Sequence, residues 1–264
     1  MSPSTDTLRL QVDQGLTTLT LTQPARGNPI DGPFCKDLRD AALALWDRPD
    51  LRAVLLRAEG PNFSYGGDIK AFYPARHALP PKVRLWTADL HAGLARLWKL
   101  PVPIVAEVQG VAMGGAVGVL AGADVVVAGH GTRLGSAFAQ LGFSCDSGSS
   151  STLTARMGVA RAKRFVLLAE MLGSTEAQQC GLVDVVVPDA ELSAHALALA
   201  QRLAAGPTQA YGEIKRLFHK AAATPLEAQL DDEALTLARL SGTADAQEGV
   251  AAMAERRAPV FTGA

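Results

Sequence analysis

Apolar positions alternate with polar ones at Leu8, Leu10 and Val12, stop at Asp13, Gln14 and Gly15, and resume at Leu16, Thr18, Leu19 and Leu21. A β-hairpin is expected to open the chain. The period then changes: Phe34, Leu38, Ala42 and Leu45 recur at helical spacing behind Asp31, a capping residue, with Pro33 in the first turn. Residues 53–56 read as a buried strand, 72–81 as a loop with prolines and mixed polarity, and 83–100 as a helix. Ile104, Val105, Ala106 and Val108 form a strand-length run ended by Gly110, after which Gly114 and Gly115 open a small-residue stretch suited to a buried helix. Val125, Val126 and Val127 predict the next strand. Beyond it the pattern predicts a helix over 161–171, a short helix between Ser174 and Gly181, an extended run at Val183, Val185 and Val187, and a helix from Pro188 and Asp189 through Leu203.

The pair Gly206 and Pro207 is the clearest boundary. Past it every periodic segment is helical, over 208–219, 225–240 and 244–256, with no further strand signal. The division expected is an α/β body over 1–206 and a helical region over 207–264 whose alanine-rich faces suit close helix contacts.

With 264 residues, 48% of them hydrophobic, the chain can bury a sizeable core, and a soluble globular protein is expected. A formal net charge of -1 gives no general attraction for nucleic acid or for an anionic membrane, so neither is expected as a partner. Cys35, Cys145 and Cys180 are odd in number and lack metal-site spacing, which fits a reducing cytoplasm and suggests no metal. The first ten residues lack the features of a secretory signal, and the apolar run near Val111 to Leu120 is too short to span a bilayer.

Candidate chemistry gathers at two places. The strand, glycine turn and helix over 103–124 bring free N–H groups to a helix start, which suits an anion; neither a phosphate loop nor a dinucleotide fingerprint is present, so a transient oxyanion is one reading and tight helix packing the other. In the glycine- and serine-rich connection 134–151, Asp146 is the only acid. Among Phe138, Leu141 and Phe143 it is either a desolvated proton acceptor or a helix N-cap. The serines around it lack the elbow motif of a serine hydrolase. His77, His130, His195 and His219 read as solvent-exposed, while His91, beside Leu90 and Leu94, reads as rim packing or a site residue.

Residues 63–70 (FSYGGDIK) resemble the F-[CS]-A-G-x-D-[LI]-K signature of the crotonase, or enoyl-CoA hydratase/isomerase, superfamily, and residues 109–116 (QGVAMGGA) resemble its N-G-x-A-x-G-[GA]-G signature. Residues 243–250 (TADAQEGV) and 256–263 (RRAPVFTG) look like the family's closing motifs, so the resemblance runs from Leu8 to the C-terminus. It implies a spiral of ββα units, a C-terminal helical region that builds homotrimers or dimers of trimers, and an acyl-CoA thioester as substrate with no separate cofactor. By motif position, the Gly67 and Gly115 amides would hold the thioester oxygen. Ser64, Gly66, Asp68, Ile69 and Gly114 would belong to the substrate site, with residues 66–69 near the adenine, and Arg26 would stand near the nucleotide phosphates. Phe138 and His91 complete that expected set.

The resemblance also frames the reaction. The two glutamates of the family's hydratases would fall at Gly118 and Phe138, where neither residue can move a proton. Asp146 falls where isomerases of the superfamily carry an aspartate, and residues 137–148 look most like the 1,2-epoxyphenylacetyl-CoA isomerase subgroup, with Cys145 and Ser149 standing where proline and glycine are usual. Double-bond isomerisation with Asp146 as acid and base is therefore expected. The alternatives are dehalogenase-like attack by Asp146 on an aryl thioester, an atypical hydration, and acyl-CoA binding without catalysis.

Overall fold

In the computed structural model, which describes residues 5–264, β1 (Leu8–Asp13) and β2 (Leu16–Leu21) form the expected hairpin, Leu8 opposite Leu21 and Asp13 opposite Leu16. Gln14 and Gly15 close it at φ 45° and 85°, the sign that a two-residue turn needs to match strand twist. The signal-peptide expectation concerns a segment whose first four residues lie outside the described part. No described helix is long and apolar enough to cross a membrane.

From β2 the main sheet continues in parallel through β3 (Ala53–Ala58), β4 (Ile104–Val108), β6 (Val125–Gly129) and β9 (Val185–Val187). These strands are apolar on both faces because both faces are covered. Val54, Leu56, Ile104, Ala106 and Val126 face the main core, built with α1 (Gly32–Trp46) and α3 (Leu79–Trp98). Ala53, Leu55, Val105 and Val127 face α7 (Leu192–Ala204), which contributes Leu192, Ala196, Ala200 and Ala204.

A second, small sheet of β5 (Val111–Met113), β7 (Arg133–Gly135) and β8 (Met171–Gly173) stands beside the first. Its three-residue strands are too short to show an alternation, so no periodicity marks them in the sequence. With them, two units of long strand, short strand and helix are complete: β4 and β5 lead to α4 (Gly115–Ala121), and β6 and β7 to α5 (Ser149–Leu167). The fold is thus the α/β spiral of ββα units that the resemblance implied.

Three local expectations are corrected. Residues 69–72 form a short helix, α2 (Ile69–Phe72), and α3 begins at Leu79 because Pro80 and Pro81 fall in its first turn, where a missing N–H costs nothing. The helix expected over 161–171 is the second half of α5, divided from the first at Gly158 (φ 72°, ψ 156°), and it stops sooner than expected. Ala169 takes φ 47°, its N–H reaches Val166 O and the Glu170 N–H reaches Phe165 O, a Schellman ending without its usual glycine, so Met171 is free to enter β8. After α6 (Ser174–Gln179), β9 and α7, only helices follow: α8 (Thr208–Ala221), α9 (Leu226–Leu240) and α10 (Ala244–Glu255).

Candidate active site

The loop after β3 is laid against the end of β5 by backbone bonds: Ser64 N to Val111 O and Met113 N to Ser64 O, at 3.2 and 3.0 Å. Gly66 follows at φ 77°, with Met113 O 2.5 Å from where its Cβ would stand, so only glycine fits. The buried Ser64 hydroxyl donates to Asn28 O and accepts from Gly66 N–H, which fixes the turn from beneath. The two glycine motifs therefore meet. Gly115 begins α4, so its N–H has no carbonyl one turn back within the helix, and no described protein group accepts from the Gly67 N–H.

Gly67, Ile69, Gly114, Gly115, Phe138 and Asp146 line one cavity of about 300 Å³. Its remaining walls are mainly apolar, with Phe72 and Trp86 stacked at 5.8 Å and Leu90, Leu141 and Phe143 completing them. Phe143 and Leu141 stand beside Asp146 as the sequence suggests, whereas Trp86 and Phe72 carry no signal in the sequence, where aromatic residues on a helix or loop read as core. Cys35 also lines the cavity, but burial, followed by the Asp31 and Asp146 charges, pushes its thiol up to about 12, so it is no nucleophile at neutral pH.

Among the described residues, Asp146 is the only carboxylate in the cavity wall. Its Oδ1 lies 2.9 Å from where a Cβ on Gly115 would be, so a side chain at 115 would displace it. The carboxylate is not the helix N-cap: α5 starts after Gly148, and the Asp146 side chain accepts instead from the Ser147 hydroxyl at 3.0 Å. Burial pushes the carboxyl above the ordinary carboxylate range, against the lowering effects of the Ser147 hydroxyl and of His91.

The other expected site residues stand elsewhere, for definite reasons. Ser64 and Gly66 support the turn from behind. Arg26 donates to Asp31 and Asp68, each at 2.8 Å, so its charge is already answered, and Asp68 also caps α2 through Ala71 N–H. His91 does not line the cavity; its Nε2 accepts from the Ser147 N–H at 3.2 Å on the far side of the Asp146 turn. At Gly118 a Cβ would meet Ser149 Oγ at 2.2 Å and Ser147 O at 2.9 Å, so that part of α4 has no room for any side chain. Among the described residues, no three His, Cys, Asp or Glu side chains gather as a metal site.

A model of the family described as Enoyl-CoA hydratase/isomerase matches residues 11–264. The chain is 33% identical to a "Probable enoyl-CoA hydratase" of Rhodobacter capsulatus, over 97% of this chain and 98% of that protein. It is also 33% identical to the 1,2-epoxyphenylacetyl-CoA isomerase of Escherichia coli, over 96% and 97%. A solved enoyl-CoA hydratase structure from Polaromonas sp. JS666 superposes with a TM-score of 0.90 at 25% identity, covering 97% of this chain and 99% of that one.

Proposed function

The chain belongs to the enoyl-CoA hydratase/isomerase family, and on that premise we propose that it shifts the double bond of an enoyl-CoA thioester, with Asp146 carrying the proton. In a 3-enoyl-CoA, the Asp146 carboxylate takes a proton from C2 and the electron pair moves onto the thioester oxygen, giving a dienolate. The protonated Asp146 then returns the proton at C4, and the conjugated 2-enoyl-CoA results. The Gly67 and Gly115 amides would hold the oxygen while it carries charge; one donor of such a hole is worth about 3 to 4 kcal/mol of barrier. No cofactor beyond the thioester itself is needed, and the free Cys35, Cys145 and Cys180 suit a cytoplasmic setting.

The observation that carries this reading is a single buried carboxylate sharing an apolar cavity with both glycine turns. Hydration by two acids has no second carboxylate here, because Phe138 has none and the space at Gly118 is filled by Ser147 and Ser149. A lone acid can shuttle a proton between two carbons of one substrate; activating and placing a water is a task for more groups than this wall offers.

The test is Asp146→Asn assayed against 3-enoyl-CoA thioesters of several chain lengths, following the absorbance of the conjugated product. Loss of the proton carrier should lower kcat by about 10²- to 10⁴-fold. Wild-type turnover in that variant overturns the assignment. We also propose that copies of the chain assemble through α8, α9 and α10 as a trimer.

A further inference from the structure

Helix α3 passes behind the Asp146 turn and touches it twice. The His91 Nε2 accepts from the Ser147 N–H at 3.2 Å, and seven residues on, the Trp98 ring occupies the space where a Gly148 Cβ would stand, 2.6 Å away. Ser147 itself is fully buried and held at φ 52°, a conformation that non-glycine residues rarely take and that persists only where the surroundings over-determine it. Its hydroxyl donates to Asp146 Oδ1. A short chain of contacts thus runs from His91 through the Ser147 backbone and hydroxyl to the carboxylate.

We propose that His91 is a positioning residue: by accepting the Ser147 N–H it holds the 146–148 turn so that the Asp146 carboxylate faces the cavity. It touches no substrate, since it lies outside the cavity wall. This proposal rests on Asp146 being the proton carrier. A near-attack geometry tolerates little displacement, and a shift of about 1 Å costs on the order of 10²-fold in rate.

The experiment compares wild type, His91→Leu, His91→Gln and Asp146→Asn on the same 3-enoyl-CoA thioesters, together with hydrogen exchange at the Ser147 amide. His91 is exposed, and thermal melts confirm that each variant folds. Leucine removes the acceptor; glutamine offers a carbonyl oxygen at a similar reach. The expected result is kcat lowered about 10- to 100-fold in His91→Leu with KM within about twofold of wild type, and most of kcat regained in His91→Gln. Ser147 amide exchange should be at least about tenfold faster in His91→Leu and slow again in His91→Gln. Full kcat in His91→Leu, a raised KM with kcat intact, a glutamine variant as slow as leucine, or unchanged Ser147 exchange each overturns the positioning role. An inactive Asp146→Asn beside a fully active His91→Leu removes that role alone, whereas wild-type rate in Asp146→Asn removes the proton-carrier reading and this one with it.

Discussion

Two neighbours pull the Asp146 carboxyl in opposite directions: burial raises it, and the Ser147 hydroxyl at 3.0 Å lowers it. Ser147→Ala leaves burial with less opposition, so the carboxyl should titrate at higher pH than in wild type. A base acts deprotonated, and the acid limb of kcat/KM against pH should therefore move up, with a larger rate loss at acid than at alkaline pH. A profile that keeps its acid limb would show that Ser147 does not bear on the reacting acid. At this scale the sequence was informative where chemistry is a matter of residue type, as with the one acid in 134–151 and the missing glutamate at Gly118. It was uninformative where meaning depends on a distant partner. No spacing in the sequence shows that Arg26 pairs with Asp31 and Asp68, or that Ser149 fills the space beside Gly118.

Elements were legible in proportion to the number of turns or alternations they contain. The helices from Thr208 onward, and α1 with its Asp31 cap accepting from Phe34 N–H at 3.1 Å, lie within a few residues of the sequence expectation. The three-residue strands β5, β7 and β8 left no periodic trace, and the α5 ending escaped notice because Ala169 does what glycine usually does. Nor does periodicity reveal how closely two helices approach. At Gly93 in α3, a Cβ would stand 2.9 Å from both the N and the Cα of Arg39 in α1, and backbone on that side cannot swing away as a side chain could. Gly93→Ala should cost about 1 to 3 kcal/mol through overpacking. That corresponds to a fall in melting temperature on the order of 5 °C, measurable by circular dichroism. An unchanged melting curve would mean that α1 and α3 have slack that the contact denies.

At the scale of the whole molecule, the closing sequence motifs turn out to be a fastening. The Thr243 hydroxyl caps α10 through Ala246 N–H, Asp245 accepts from Thr262 and Gly263 N–H at 2.7 and 2.8 Å, and Glu248 holds Arg257 and Val260 N–H. Arg52, at the start of the body strand β3, reaches Gly206 O and Thr262 O and so ties both ends of the helical region to the sheet. These bonds fix the region's orientation without covering its apolar faces. Phe218, Leu235 and Met253 remain 78%, 73% and 83% exposed on α8, α9 and α10, while many charged groups between α8 and α9 are spent on one another, as Arg216 is on Asp232 and Arg239 on Glu213. A region whose charges are paired with one another while its large apolar side chains stay outside is suited to contact with another surface. The full chain should sediment as a trimer at micromolar concentration. A Leu235→Lys, Met253→Lys double variant should shift toward monomer while keeping its far-ultraviolet circular dichroism, because both side chains point away from the core that folds each copy. A wild-type chain that stays monomeric, or a double variant that stays trimeric, would place those faces against something other than a second copy.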